Sequence, residues 1–343
     1  MKHFKLISIL CVALGVSAAN AAETTINGEF FGNFTYDLDN GEAGGNDVTT
    51  GYGFNLDRAR VSATHAFNDT WSVTLKVDAA DTTSGNSFDA AFVTGKNWLA
   101  DGHTMMFGLQ ANAYRRMWDA NNARWIHADL TSGSVSDLNT YFGIANSAHV
   151  NDYNGLNYNI ALNDMWQVEF SLNNGGNESQ TRDSMGYGLT VMGKFNDQVS
   201  LLVGYDNATD YNSTANDDAD SDTSGLTALR ASLFYTSDMV DAGFEYAMWD
   251  YNENDGVAAA VDGVSAMAVN ATWKYAEARG VFAKYAMYDS DYSDNIGTES
   301  EMTLGHTWML EKGVNTGVFY TATSNDNSDN DSSAIVWKWA ASF

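Results

Sequence analysis

The chain has 343 residues, with 17 Lys and Arg against 44 Asp and Glu and a formal net charge of −27 at neutral pH. That balance excludes nucleic acid as a partner, since a polyphosphate needs a basic face. A single cysteine and the lack of any 18-residue apolar stretch exclude disulfides, cysteine-based metal sites and membrane-spanning helices.

Taken in chain order, Lys2 and Lys5 precede an apolar run over residues 6–16, and Ala19-Asn20-Ala21 follows at small-residue cleavage spacing. The pattern predicts a cleaved secretory leader over 1–21 and a mature domain over 22–343. Cys11 lies inside the leader, with Leu10 where a lipid-attachment site needs a small residue, so the mature chain has no thiol. Without the leader's two lysines, 15 basic residues face 44 acidic ones, a net charge of −29.

The mature chain alternates. Trp71, Val73, Leu75, Val77 and Ala79 share one face of a predicted strand, while Ser72, Thr74, Lys76 and Asp78 share the other. A slip of one residue would turn Lys76 toward the apolar side, at about 2–4 kcal/mol near a bilayer midplane. Trp166, Val168, Phe170 and Leu172 repeat the pattern, as do Val199 to Tyr205 and Val240 to Met248 by twos. In the last segment, 332–343, Ile335, Trp337, Trp339, Ala341 and Phe343 form an aromatic face opposite Ala334, Val336, Lys338, Ala340 and Ser342.

Strands are expected at 24–38, 53–67, 70–80, 88–98, 103–112, 153–162, 165–173, 184–195, 198–207, 225–236, 239–250, 264–275, 277–288, 300–310, 314–323 and 332–343. Short turns such as Asn68-Asp69, Asn163-Asp164, Asn196-Asp197, Ser237-Asp238 and Glu311-Lys312-Gly313 alternate with long polar loops, the longest over 113–151. Leu138 to Ile144 has strand character, but counting it would make the total odd, so it is assigned to that loop. About 16 strands, alternating short and long connections, 44 aromatic residues and no proline predict an all-β, transmembrane, antiparallel up-and-down barrel with both ends on the periplasmic side. A barrel that wide is not filled by its own side chains and leaves an aqueous channel.

Leader, alternation, the long third loop and the aromatic-ended closing strand together resemble the Gram-negative outer-membrane porins of the general trimeric group, over essentially the whole mature chain. Leu56-Asp57-Arg58-Ala59-Arg60-Val61 and Phe88-Asp89-Ala90-Ala91-Phe92-Val93, with Asp152-Tyr153-Asn154-Gly155-Leu156 after the long loop, further resemble the phosphate-selective type. The resemblance implies a homotrimer in the outer membrane, a third loop folded into the lumen, and passive diffusion of ions and small hydrophilic solutes. The lysine-rich path associated with phosphate selectivity is missing, because the external loops are acidic.

Arg58 and Arg60 share a face with Ser62 and Thr64, opposite Ala59, Val61 and Ala63, and Lys76 joins them from the next strand. With Glu29 from the first strand and Arg115, Arg116, Arg124 and Asp119 from the third loop, they are the candidate residues of a pore constriction. Opposed charge at a narrow point selects ions and orients dipolar solutes. The plainer reading pairs these arginines with Asp57, Asp78 and Asp89 to satisfy a polar lumen. Outside, Asp217 to Asp222, Asp289 to Asp294 and Asp326 to Asp331 concentrate cations at the mouth and offer divalent-cation bridges to lipopolysaccharide. Asp218-x-Asp220-x-Asp222 lacks the glycine and closing glutamate of a calcium loop and reads as solvated acid, so no metal or cofactor is expected. Acid at the mouth and arginine at the neck leave ion preference open.

His65, His103, His127, His149 and His306 are scattered and fall in no catalytic motif, which argues against an enzyme. His306 shares a face with Leu304 and Trp308, as a lipid-edge residue would. The remaining rival is a plugged barrel whose loops serve adhesion or phage attachment.

Overall fold

A computed structural model describes residues 23–38, 51–78, 88–111, 113–122, 152–173, 186–211, 224–252, 264–290, 297–325 and 331–343. Alternation of polar and apolar side chains forces these segments into strands with one wet face and one apolar face. In chain order they are β1 (Thr24–Asp37), β2 (Tyr52–Ala66), β3 (Trp71–Asp78), β4 (Phe88–Lys96), β5 (His103–Ala111), α1 (Ala113–Asn122), β6 (Asp152–Ala161), β7 (Trp166–Asn173) and β8 (Gly186–Lys194). The second half comprises β9 (Val199–Tyr211), β10 (Ser224–Thr236), β11 (Val240–Asn252), β12 (Val264–Ala276), β13 (Arg279–Ser290), β14 (Gly297–Glu311), β15 (Val314–Asn325) and β16 (Ser332–Ser342).

Each strand pairs antiparallel with its sequence neighbours, and β1 pairs with β16, so the 16 strands close into a barrel with no free edge. The first and last strands meet at this seam. The Gly28 amide donates to the Phe343 carbonyl at 3.0 Å and the Phe343 amide to that of Gly28 at 3.1 Å. Two glycines of β1 make room for the aromatic face of the last strand. A Cβ on Gly28 would lie 2.2 Å from the Phe343 ring, and one on Gly32 would lie 2.7 Å from the Trp339 indole.

The expected strands are all present, with ends shifted by a few residues. The Asn-Asp turns share one device that sets the register of their hairpins. Asn68 Oδ1 accepts from the amides of Thr70 and Trp71 at 2.9 and 2.8 Å, and Asn163 and Asn196 repeat this with the residues two and three positions on. Such a side chain replaces water at amides that the turn cannot pair. Ser237 does the same through Oγ, which accepts from the Val240 amide at 3.0 Å.

The outward face exposes Phe30, Phe170, Leu233, Phe244, Val269, Trp273, Leu304, Val318 and Trp337 together, far more contiguous apolar surface than water tolerates. Among the described residues no helix is long and apolar enough to cross a membrane, so an apolar environment would be met by the strands. The inward face is polar on most strands. Its exceptions include Met192, Leu202 and Phe234, whose cause is given below, and a second inward cluster of Phe282 and Phe319 with Phe31.

One element departs from expectation. Residues 113–122, assigned above to an irregular loop, form α1. The strand-like stretch Leu138 to Ile144 lies outside the described residues.

Candidate pore constriction

The helix α1 begins two residues after β5 ends, so the chain turns into the barrel at once. Tyr114, Met117 and Trp118 stand at helical i, i+3, i+4 spacing and make one apolar face. That face is buried against Met192 of β8, Leu202 of β9 and Phe234 of β10. Each large side chain so covered contributes about 1.5–3 kcal/mol. The inward Met, Leu and Phe are therefore a seat for the helix. Gly204 completes it, because a Cβ there would meet the Tyr114 ring at 2.5 Å.

Polar anchors on β5, β7, β10 and β11 hold the helix. Arg116 forms an ion pair with Glu169 of β7 and donates to Met106 Sδ at 3.1 Å. Asn159 Nδ2 donates to the other Glu169 oxygen at 3.1 Å. Arg230 of β10 is 0% exposed, forms an ion pair with Asp206 of β9, and places Cζ 4.7 Å from the centroid of the Tyr114 ring. The Tyr114 hydroxyl shares a 2.5 Å hydrogen bond with Ser232 Oγ. Trp118 Nε1 donates to Glu245 Oε2 of β11 at 2.9 Å. Burial, and then the Glu245 charge, push the Tyr114 hydroxyl above its ordinary pKa, against the lowering pull of Ser232 and Arg230. Tyr114 therefore stays neutral at any pH the barrel meets.

In a closed ring of 16 strands, positions eight apart are opposite, so a helix on β7–β11 faces the wall centred on β1. The predicted strand residues gather there. Glu29 is the register partner of Arg60, Arg60 is also opposite Asp78, and Lys76 is opposite Ser62, all on the lumenal parity. Arg58 takes its place in the register opposite Phe31. Lys338 of β16, opposite Asn33 of β1, belongs to the same wall, with Nζ 5.9 Å from the Phe319 ring centroid. The side chains of Arg58, Arg115 and Asp119, and all of Arg124, lie outside the described residues.

Elsewhere in the lumen the cations meet carboxylates. Lys284 pairs with Glu301 at 2.8 Å and Lys274 with Asp241 at 2.9 Å. The short-turn end of the barrel is acidic. Each of its seven turns displays an exposed carboxylate: Asp69, Asp101, Asp164, Asp197, Asp238, Glu277 and Glu311. Lys96, Lys194, Arg279 and Lys312 offset part of this charge at the same end. Among the described residues no three His, Cys, Asp or Glu side chains converge to hold a metal ion.

Sequence reasoning placed the β1–β3 wall but missed the anchors Glu169, Asp206, Arg230 and Glu245. The available signal was the break in alternation at Leu201-Leu202-Val203 and Leu233-Phe234-Tyr235. A large apolar residue on a face that should be wet means that something covers it.

No protein-family model matches the chain, and no curated protein matches it significantly. Solved structures do match. The anion-selective porin from Comamonas acidovorans superposes with a TM-score of 0.70 at 14% identity, covering 94% of this chain and 100% of that one. The outer membrane channel DcaP of Acinetobacter baumannii gives 0.65 at 14% identity over 95% and 99%. The in-vitro folded, trimeric form of OmpT, an outer membrane protein of Vibrio cholerae, gives 0.63 at 12% over 94% and 100%. The chain has the porin barrel fold. At this identity the likeness speaks for the architecture, and the chemistry of the lumen must be argued from its own residues.

Proposed function

We propose that the protein is an outer-membrane porin, a water-filled channel for passive diffusion of ions and small hydrophilic solutes. The observation that carries this reading is the stapled helix. It occupies one wall of a wide, polar-lined barrel and leaves the charged wall of β16 to β3 facing it across the lumen. Solutes pass between Arg60, Lys76 and Lys338 on one side and α1 on the other, with Glu29 supplying the acid beside Arg60. Arg58, Arg115, Arg116, Arg124 and Asp119 complete the proposed neck, Arg116 with its charge already met by Glu169.

This reading sets the short turns toward the periplasm, with residues 1–21 removed on export. The trimeric form of the Vibrio cholerae barrel supports a homotrimer here, and the acidic external loops supply the groups for divalent bridges to lipopolysaccharide. The acidic turns and the net charge favour cations over anions, since rings of carboxylates raise the local cation concentration. A phosphate-selective role is not supported, because Arg116, Arg230, Lys274 and Lys284 are neutralised by carboxylates.

Liposome swelling tests passage directly. Vesicles containing the refolded protein should swell in isotonic arabinose and more slowly in larger neutral sugars. Vesicles that never swell, with the barrel inserted, would favour the plugged barrel.

A further inference from the structure

A cation on the lipid-facing side of a barrel is costly near the bilayer midplane and tolerated only near its edges. Arg279 is such a cation. It opens β13 beside a short turn, is exposed, and sits on the same parity as the outward Val281 and Tyr285. Every other strand lysine or arginine whose side chain is described falls on the lumenal parity. Arg279 has no ion-pair partner among the described residues.

Its surroundings form a platform. Trp308 of β14 is its register partner. Tyr275 of β12 and His306 of β14 share a 2.5 Å hydrogen bond through the phenol oxygen and Nε2. The rings run without a gap from Trp273 to Tyr275 at 5.9 Å, to His306 at 5.7 Å, and to Trp308 at 5.4 Å. Barrel packing alone asks for no polar pair on this face, where phenylalanines would bury as well.

We propose that Arg279, Tyr275 and His306, flanked by Trp273 and Trp308, bind the headgroup phosphate of an anionic phospholipid in the periplasm-facing leaflet. This site rests on the outer-membrane reading above. Arg279 supplies the countercharge and the Tyr–His pair supplies hydrogen bonds at phosphate depth. The indoles lie at the boundary of headgroup and acyl chain, where amphipathic rings are favoured. Charge complementarity selects the occupant. A zwitterionic headgroup brings its own ammonium toward Arg279, whereas an anionic one does not. Glu277 stands two positions before Arg279, as Glu311 stands beside Lys312, but among the described strand cations Arg279 alone is on the outward parity and beside the Tyr275–His306 pair, so the site is confined to β12–β14.

Native mass spectrometry of the protein released from equal mixtures of phosphatidylglycerol and phosphatidylcholine tests this. One phosphatidylglycerol per chain should be retained in preference, and Arg279→Gln should lower that retention about fivefold, the factor for one arginine near an anionic surface. Lys312→Gln should leave it unchanged. Equal retention of the two lipids, or equal loss in both variants, would overturn the site. A barrel that conducts without this preference removes only the lipid site, whereas failure to conduct removes the porin reading itself.

Discussion

Replacing Arg230 with alanine is expected to lower the stability of the barrel by about 3–5 kcal/mol, the usual cost of removing one partner of a buried ion pair. The guanidinium is wholly buried, and its loss strands Asp206 behind α1 with no countercharge. It also takes away the cation against which the Tyr114 ring is packed. The consequence for the channel follows from the second loss. With Tyr114 less firmly seated, α1 should sample more than one position and single-channel current should become noisy. The double substitution Arg230→Met, Asp206→Leu separates the effects. It removes the stranded charge and should recover most of the stability while leaving the noise. Urea unfolding in lipid vesicles, followed by tryptophan fluorescence, measures the first quantity and bilayer recording the second. A loss below about 1 kcal/mol with quiet channels would show that the pair does not anchor the helix.

Trp118→Ala should be nearly as severe, at about 3–5 kcal/mol for a truncated, buried indole. Its second effect is electrostatic. Trp118 Nε1 is the donor to Glu245, itself 0% exposed. Without the indole, water and lumenal ions reach that carboxylate, so conductance should rise and the preference for cations should strengthen. Trp118→Phe keeps the ring and loses the donor, and should cost less, about 1.5–3 kcal/mol for a hydrogen bond to a charged group. If Trp118→Ala conducts like the parent with unchanged selectivity, the helix does not border the ion path.

The strand plan was legible because each span repeats every second residue and each Asn-Asp turn carries its own acceptor. In a run such as Trp71 to Asp78 alternation assigns each side chain to one face, and the structure pairs Lys76 with Ser62 on the lumenal parity, with a register irregularity toward β4 after Lys76. The helix was not legible for a definite reason. Ten residues with two arginines, an aspartate and two asparagines do not make an autonomous helix, and α1 exists because the wall covers Tyr114, Met117 and Trp118. Its anchors were hidden for the same cause. Arg230 and Glu245 sit at ordinary lumenal positions, and only the fold shows that a helix lies over them. Arg116, chosen from sequence for its charge, stands beside Glu169 and contributes little net field. Conversely, strand order and parity put Glu29 in register with Arg60, a juxtaposition that single-strand alternation does not name.

The most direct test is the reversal potential of single channels in a planar bilayer under a tenfold KCl gradient, repeated at higher total salt. Stable conductance with a reversal potential of the sign for potassium over chloride, shrinking toward zero as salt screens the rim carboxylates, is the predicted result. Stable channels that prefer chloride, with the preference abolished in Arg60→Ala, would place control at the cationic wall instead of the acidic mouths. No stable conductance from an inserted barrel would contradict the porin function outright.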